Sequence, residues 1–300
     1  MRPSPFLQML PRRARRGAPL VMVTVLGAGW VARAATAGPP VGMVEAPCLE
    51  LPPRPAELDE RREIEMRPEE PGPAALARPV EPGTRVYFAA LDEAHKQDWP
   101  NLCRFQAENV AIPHDAHIQA VYLGDSITEN WIAADPALFS DRVLNRGISG
   151  QTTPQMLLRF YADVISLHPR VVHILAGAND LAGNTGPSTA QQYKNNIMAM
   201  CDLASANGVR VVLASLLPAE RFPWRPEVRP GAQIDELNRW LRRYATQRKF
   251  VYVDYYAVLA GPGGAMRAGL SHDGVHPHRA GYALMRPLAQ QGLAAALQAH

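Results

Sequence analysis

AVYLGDSITENW, residues 120–131, is a greasy run that stops at a small polar triplet. Ala120 to Leu123 have the β-branched and aromatic character of a buried strand. Gly124, Asp125 and Ser126 end it in turn-forming residues. In an open parallel sheet, ligands bind beyond the carboxyl ends of the strands. A serine at such an end is either a helix cap or a nucleophile, and the rest of the chain has to decide which.

Outward from this stretch, strands and helices alternate. The runs Ile118–Leu123, Arg142–Asn145, Val171–Ala176, Val209–Leu216 and Phe250–Asp254 read as strands. The third and fourth are nearly unbroken Val, Ile, Leu and Ala, as parallel strands covered on both faces require. Helical spacing fills Thr153–His168, Ala190–Asn207 and Ile234–Gln247, and a last helix covers Arg279–Gln298, where Pro287 is expected to kink it. Steady alternation predicts a doubly wound three-layer α/β domain on a five-stranded parallel sheet.

The N-terminal third differs in composition. Residues 1–37 carry six arginines and no acid, an apolar stretch from Ala18 to Ala32, and a small-residue ATA before Gly38. That is the pattern of an export signal, too short for a comfortable membrane span. It predicts a periplasmic or secreted protein that touches the membrane only through this signal, with an uncleaved N-terminal anchor as the alternative. Residues 38–84 hold 11 of the 28 prolines, with ten acids and few large apolar side chains, and read as a disordered linker. A short helix over AELDERREIEM would have little to pack on. Residues 85–113 have apolar positions at helical spacing and read as one or two helices broken near Pro100, lying on the main domain 85–300.

Composition excludes several function classes. Without residues 1–37 the chain has 25 basic against 28 acidic side chains, so no basic face suggests a nucleic-acid partner. Three cysteines are no disulfide framework; export would allow one bridge among Cys48, Cys103 and Cys201, and Cys103 and Cys201 read as small core residues. Neither metal-ligand spacing nor a phosphate-binding glycine loop is present, so no metal or cofactor is expected. No GxSxG occurs, which sets aside the nucleophile-elbow hydrolases.

Polar clusters do follow the strands: GDSIT (124–128), NRGISGQTT (145–153), GAND (177–180) and, before the last helix, SHDGVHP (271–277). Acyl transfer needs a nucleophile, a base, a group orienting the base, and donors for the oxyanion. Ser126, His276 and Asp273 are the candidates for the first three. The backbone amides of Ser126 and Gly150 and the side-chain amide of Asn179 are the candidate donors. Each cluster alone is weak, since GDS is common and Asp-x-x-His recurs at Asp92–His95. His114 and His117 read as solvated, and His173 as a satisfied core histidine. Nothing forces a role on His278, and Trp131 reads as core. The loop Pro218–Gly231 is either a substrate-facing wall, with Trp224 and Arg225 as binding residues, or a proline-stiffened surface loop.

The ordered set GDSIT, NRGISG, GAND and DGVHP resembles the SGNH, or GDSL, hydrolases over roughly Trp99 to Ala296. The resemblance implies a flavodoxin-like α/β/α sandwich and a metal-free serine esterase or lipase of the acylhydrolase branch. It implies Ser126, Asp273 and His276 as the triad, with Ser126, Gly150 and Asn179 around the oxyanion. Two glycines, Gly147 and Gly150, stand in the second block, and the family pattern selects Gly150. With export, the expected substrate is a short-chain acyl ester, such as an O-acetyl ester, of a carbohydrate or small lipid. A non-catalytic carbohydrate-binding or envelope-attachment module on the same fold is the alternative.

Overall fold

The computed structural model describes residues 42–69 and 79–298. The expected export signal, 1–37, lies outside them. Residues 42–50 belong to a separate unit and carry no helix or strand, whereas the sheet and its helices all lie in the unit that begins at Leu51.

Five parallel strands form one sheet: β1 Ala120–Gly124, β2 Val143–Gly147, β3 Val171–Leu175, β4 Arg210–Ala214 and β5 Val251–Val253, in the order β2-β1-β3-β4-β5. Every residue of β1 and β3 is buried, as the unbroken apolar runs demand. Alternation along β1 sends Val121 and Leu123 to one face and Ala120 and Tyr122 to the other. The first face packs on helices Thr153–Asp163, Ala190–Ala206 and Gly231–Arg248. The second packs on Ser126–Ala134 and Arg279–Gln298, the latter containing Pro287. The result is the expected three-layer α/β/α sandwich.

Because β1, β2 and β3 end level, with Gly124 beside both Gly147 and Leu175, three polar clusters emerge at one rim. Before the sheet, helices Pro82–Gln97 and Gln106–Ala111 flank a turn around Pro100.

Three expectations change. The segment assigned to a linker contains a helix, α1, Ala56–Met66, and its last residue Met66 is 1% exposed in the core around Trp131 and Tyr282. An apolar count misses it because one methionine and a set of ion pairs hold it down. Cys103 is half-buried and disulfide-bonded, whereas Cys201 is the buried free thiol. His173 is only half satisfied: Nε2 meets the Tyr255 hydroxyl at 2.9 Å, while buried Nδ1 has no partner among the described residues. Burial pushes His173 down to about 3.

Candidate active site

The triplet that ends β1 divides its labour. Asp125 is the cap: its carboxylate accepts the Ile127 amide at 2.9 Å and starts the helix Ser126–Ala134. Asp125 is fully buried, and burial pushes its carboxyl up to about 6. Ser126 is thereby released from capping and stands at the first helical position, half-buried at the rim.

The loop before the last helix comes to it. Ser126 Oγ lies 2.8 Å from His276 Nε2, and His276 Nδ1 lies 2.6 Å from Asp273 Oδ2. The other oxygen, Asp273 Oδ1, accepts the amides of Val275 and His276 and the Ser271 hydroxyl. Burial alone would raise Asp273, but the His276 charge and these hydrogen bonds hold its carboxyl well below the usual range. An ionised carboxylate only accepts, so the imidazole proton sits on Nδ1 and the Nε2 lone pair faces the serine hydroxyl. Burial works against a charged His276, yet Asp273 raises its pKa above the ordinary value.

The two glycines of the second cluster separate cleanly. The Gly147 amide is already bonded to Asn145 Oδ1 at 2.9 Å, and its Cα faces the backbone of Thr128 and Glu129, where a Cβ would lie 2.1 Å from the Glu129 nitrogen. Gly147 is a close-packing residue. Gly150 has φ of 80°, a left-handed conformation, with open space where a Cβ would be.

Asn179 is 3% exposed at the end of β3. One proton of its Nδ2 goes to the Gln151 carbonyl at 3.0 Å, which leaves the second for a ligand. Its Oδ1 accepts from Asn184 Nδ2 at 2.7 Å, and the same Asn184 nitrogen reaches the Gly150 carbonyl at 3.4 Å. Asn184 Oδ1 in turn accepts from Trp224 Nε1 at 3.1 Å. The Trp224 ring lies 5.8 Å from the His276 ring, centroid to centroid. Trp224 therefore lines the site. Arg225 is half-buried and its backbone takes part in turns with Phe222 and Val228, while among the described residues no hydrogen bond or ion pair ties its side chain to the triad.

Sequence reading missed the frame beneath these groups. Arg159 is fully buried and donates to Gln151 Oε1 at 2.6 Å, to Asp163 at 3.0 Å and to the Gly124 carbonyl at 3.1 Å. One guanidinium thus joins the tip of β1 to the residue that holds Asn179. Asp180, next to Asn179, takes the Thr153 amide and hydroxyl and ties the second cluster to the third. Asn184 lay in a stretch whose Gly and Asn content signals only a turn. Among the described residues, no group of three or more His, Cys, Asp or Glu side chains is placed to hold a metal ion.

Comparison with known proteins agrees with this geometry. Residues 122–284 match the model of the GDSL-like Lipase/Acylhydrolase family. The chain is 30% identical over 161 residues to esterase TesA of Pseudomonas aeruginosa, spanning 52% of this chain and 73% of that protein. A GDSL-like lipase structure from Bacteroides thetaiotaomicron is 40% identical with a TM-score of 0.63, over 66% of this chain and 99% of that one. A structure from Bacteroides fragilis is 39% identical with a TM-score of 0.65, over 67% and 99%. A serine at the rim of a five-stranded parallel sheet, and matches of this extent, place the chain in the GDSL-like lipase/acylhydrolase family, whose members are carboxylic-ester hydrolases.

Proposed function

We propose that Ser126 attacks the ester carbonyl, His276 takes its proton, and Asp273 holds the imidazole and stabilises its charged form. The observation that carries this reading is the unbroken line Ser126 Oγ, His276 Nε2, His276 Nδ1, Asp273 Oδ2, with steps of 2.8 and 2.6 Å at its two ends. The amides of Ser126 and Gly150 and the free proton of Asn179 Nδ2 receive the oxyanion. Collapse of the tetrahedral intermediate expels the alcohol, which takes the proton from His276. Water then enters by the same route and releases the acid from Ser126.

The acyl group is short in this reading. An apolar recess of about 10 Å³ lies among Ile127, Ala178, Leu217, Phe222 and Val275. Three of them, Ile127, Ala178 and Val275, adjoin Ser126, Asn179 and His276 in the chain. Such a volume takes one water-sized group, which fits the methyl of an acetyl ester. The arginine-rich start and apolar stretch of residues 1–37 support export, and a carbohydrate or small-lipid ester outside the cytoplasm is the substrate class we assign.

Ser126→Ala tests the assignment. It removes hydrolysis of nitrophenyl acetate by about three orders of magnitude or more and abolishes labelling by a fluorophosphonate, with an unchanged melting curve. Wild-type rates in that variant would refute it. A panel of acyl lengths tests the recess, with rates falling from acetyl to butyryl to octanoyl.

A further inference from the structure

Helix α1 lies outside the family match at 122–284, yet it grips the catalytic loop at both ends. Before Asp273, His272 Nε2 donates to the Arg67 carbonyl at 2.7 Å. After His276, Arg279 pairs with both oxygens of Glu63, at 2.6 and 2.9 Å. A third contact runs to the other side of the site: Arg62 meets Glu129 at 3.4 Å, and Glu129 accepts the amide and hydroxyl of Ser149, the neighbour of Gly150. Met66 closes the attachment in the core.

Between these anchors stands Glu65. Part of its surface is exposed, yet burial raises its carboxyl pKa above the usual value, and His276 and Asp273 are among the charges that act on it. Arg62 and Glu63 are spent on anchoring, whereas Glu65 has no ion-pair partner among the described residues. The leaving alcohol must lie on the His276 side, because His276 delivers its proton. That is the side α1 occupies.

Building on the esterase reading, we propose that α1 forms the leaving-group wall of the cleft and that Glu65 selects the alcohol. It favours esters of neutral, hydroxyl-bearing alcohols, whose hydroxyls can donate to the carboxylate, and repels esters whose alcohol carries an anion. Two effects act together. A carboxylate is an acceptor-only group suited to sugar hydroxyls, and like charges at one mouth oppose each other, an effect that salt screens.

The test uses the full chain and two esters with the same acyl group, an acetylated methyl glucoside and the corresponding acetylated methyl glucuronoside. Wild type prefers the neutral ester. Glu65→Gln raises kcat/KM on the anionic ester about fivefold, chiefly through KM, and lowers it on the neutral one, whose hydroxyls lose a charged acceptor. Glu65→Lys moves the ratio further, and about 0.5 M salt shrinks the difference. Equal response of both esters, or none, overturns the role of Glu65 while the esterase reading stands. Failure of wild type to cleave either ester, with Ser126 unlabelled by a fluorophosphonate, overturns both together.

Discussion

Asp273 and His276, three positions apart, are joined twice: Nδ1 to Oδ2 at 2.6 Å through the side chains, and the His276 amide to Oδ1 at 2.8 Å through the backbone. The second bond holds the carboxylate in place for the first. An acid so held keeps the imidazole in the tautomer that exposes Nε2 to Ser126.

The pH dependence follows from that pair. His276 must be neutral to accept the serine proton, and Asp273 raises its pKa above the ordinary value of 6.5. Activity therefore falls as pH drops through this raised value, and the acid limb of kcat/KM lies above 6.5. Asp273→Asn lowers the limb and cuts kcat by about ten-thousandfold by releasing the wrong tautomer. A limb that stays put in Asp273→Asn would show that another group sets it.

Asn179 and Asn184 will separate in kinetics. Asn179→Ala removes a donor and lowers kcat about a hundredfold or more with little change in KM. Asn184→Ala frees the Asn179 amide to rotate and unpins Trp224, so kcat falls by less and KM rises as well. Identical kinetic signatures would argue against a donor and its support.

Gly147 and Gly150 differ in kind. In Gly147→Ala the new methyl meets the Glu129 backbone, and stability drops by about 3 kcal/mol or more. In Gly150→Ala only the positive φ is strained, costing about 1 kcal/mol, while the amide shifts and the rate falls about tenfold or more. Thermal melts beside initial rates distinguish them. A normal melt for Gly147→Ala would contradict its packing role.

His173 makes the fold sensitive to mild acid. Its pKa is depressed in the folded state, to about 3, so below the unfolded value of 6.5 the unfolded chain binds the extra proton. Its stabilising contribution is whole above 6.5 and is lost as pH falls from there toward 3, by at most about 1.4 kcal/mol per pH unit. His173→Gln, which keeps a partner for Tyr255, flattens the dependence of urea stability on pH between about 7 and 5. An unchanged slope would place the acid sensitivity elsewhere.

What could be read from the chain was local. The unbroken runs of β1 and β3 announce buried parallel strands, and GDSIT and DGVHP each hold their chemistry within a few residues. The helices around Pro100 follow from spacing and one proline. The rest needed the loops to meet. Nothing in a linear reading separates Gly147 from Gly150, because the difference is that one amide is already spent on Asn145. Arg159, Gln151 and Asn184 are polar residues in unremarkable stretches until the rim assembles over them. The docking of helix α1 escaped because Glu63, Arg62 and one methionine hold it, and a count of apolar side chains cannot register ion pairs with residues 67 and 216 positions away.

The Arg159 guanidinium also bears on how the enzyme fails. Because a single cation rivets the strand tip to the bed of the oxyanion loop, the chemical centre has no hinge of its own at that point. The strand tip and the oxyanion loop are therefore expected to lose their structure together, read as loss of rate and of native spectrum in one thermal transition.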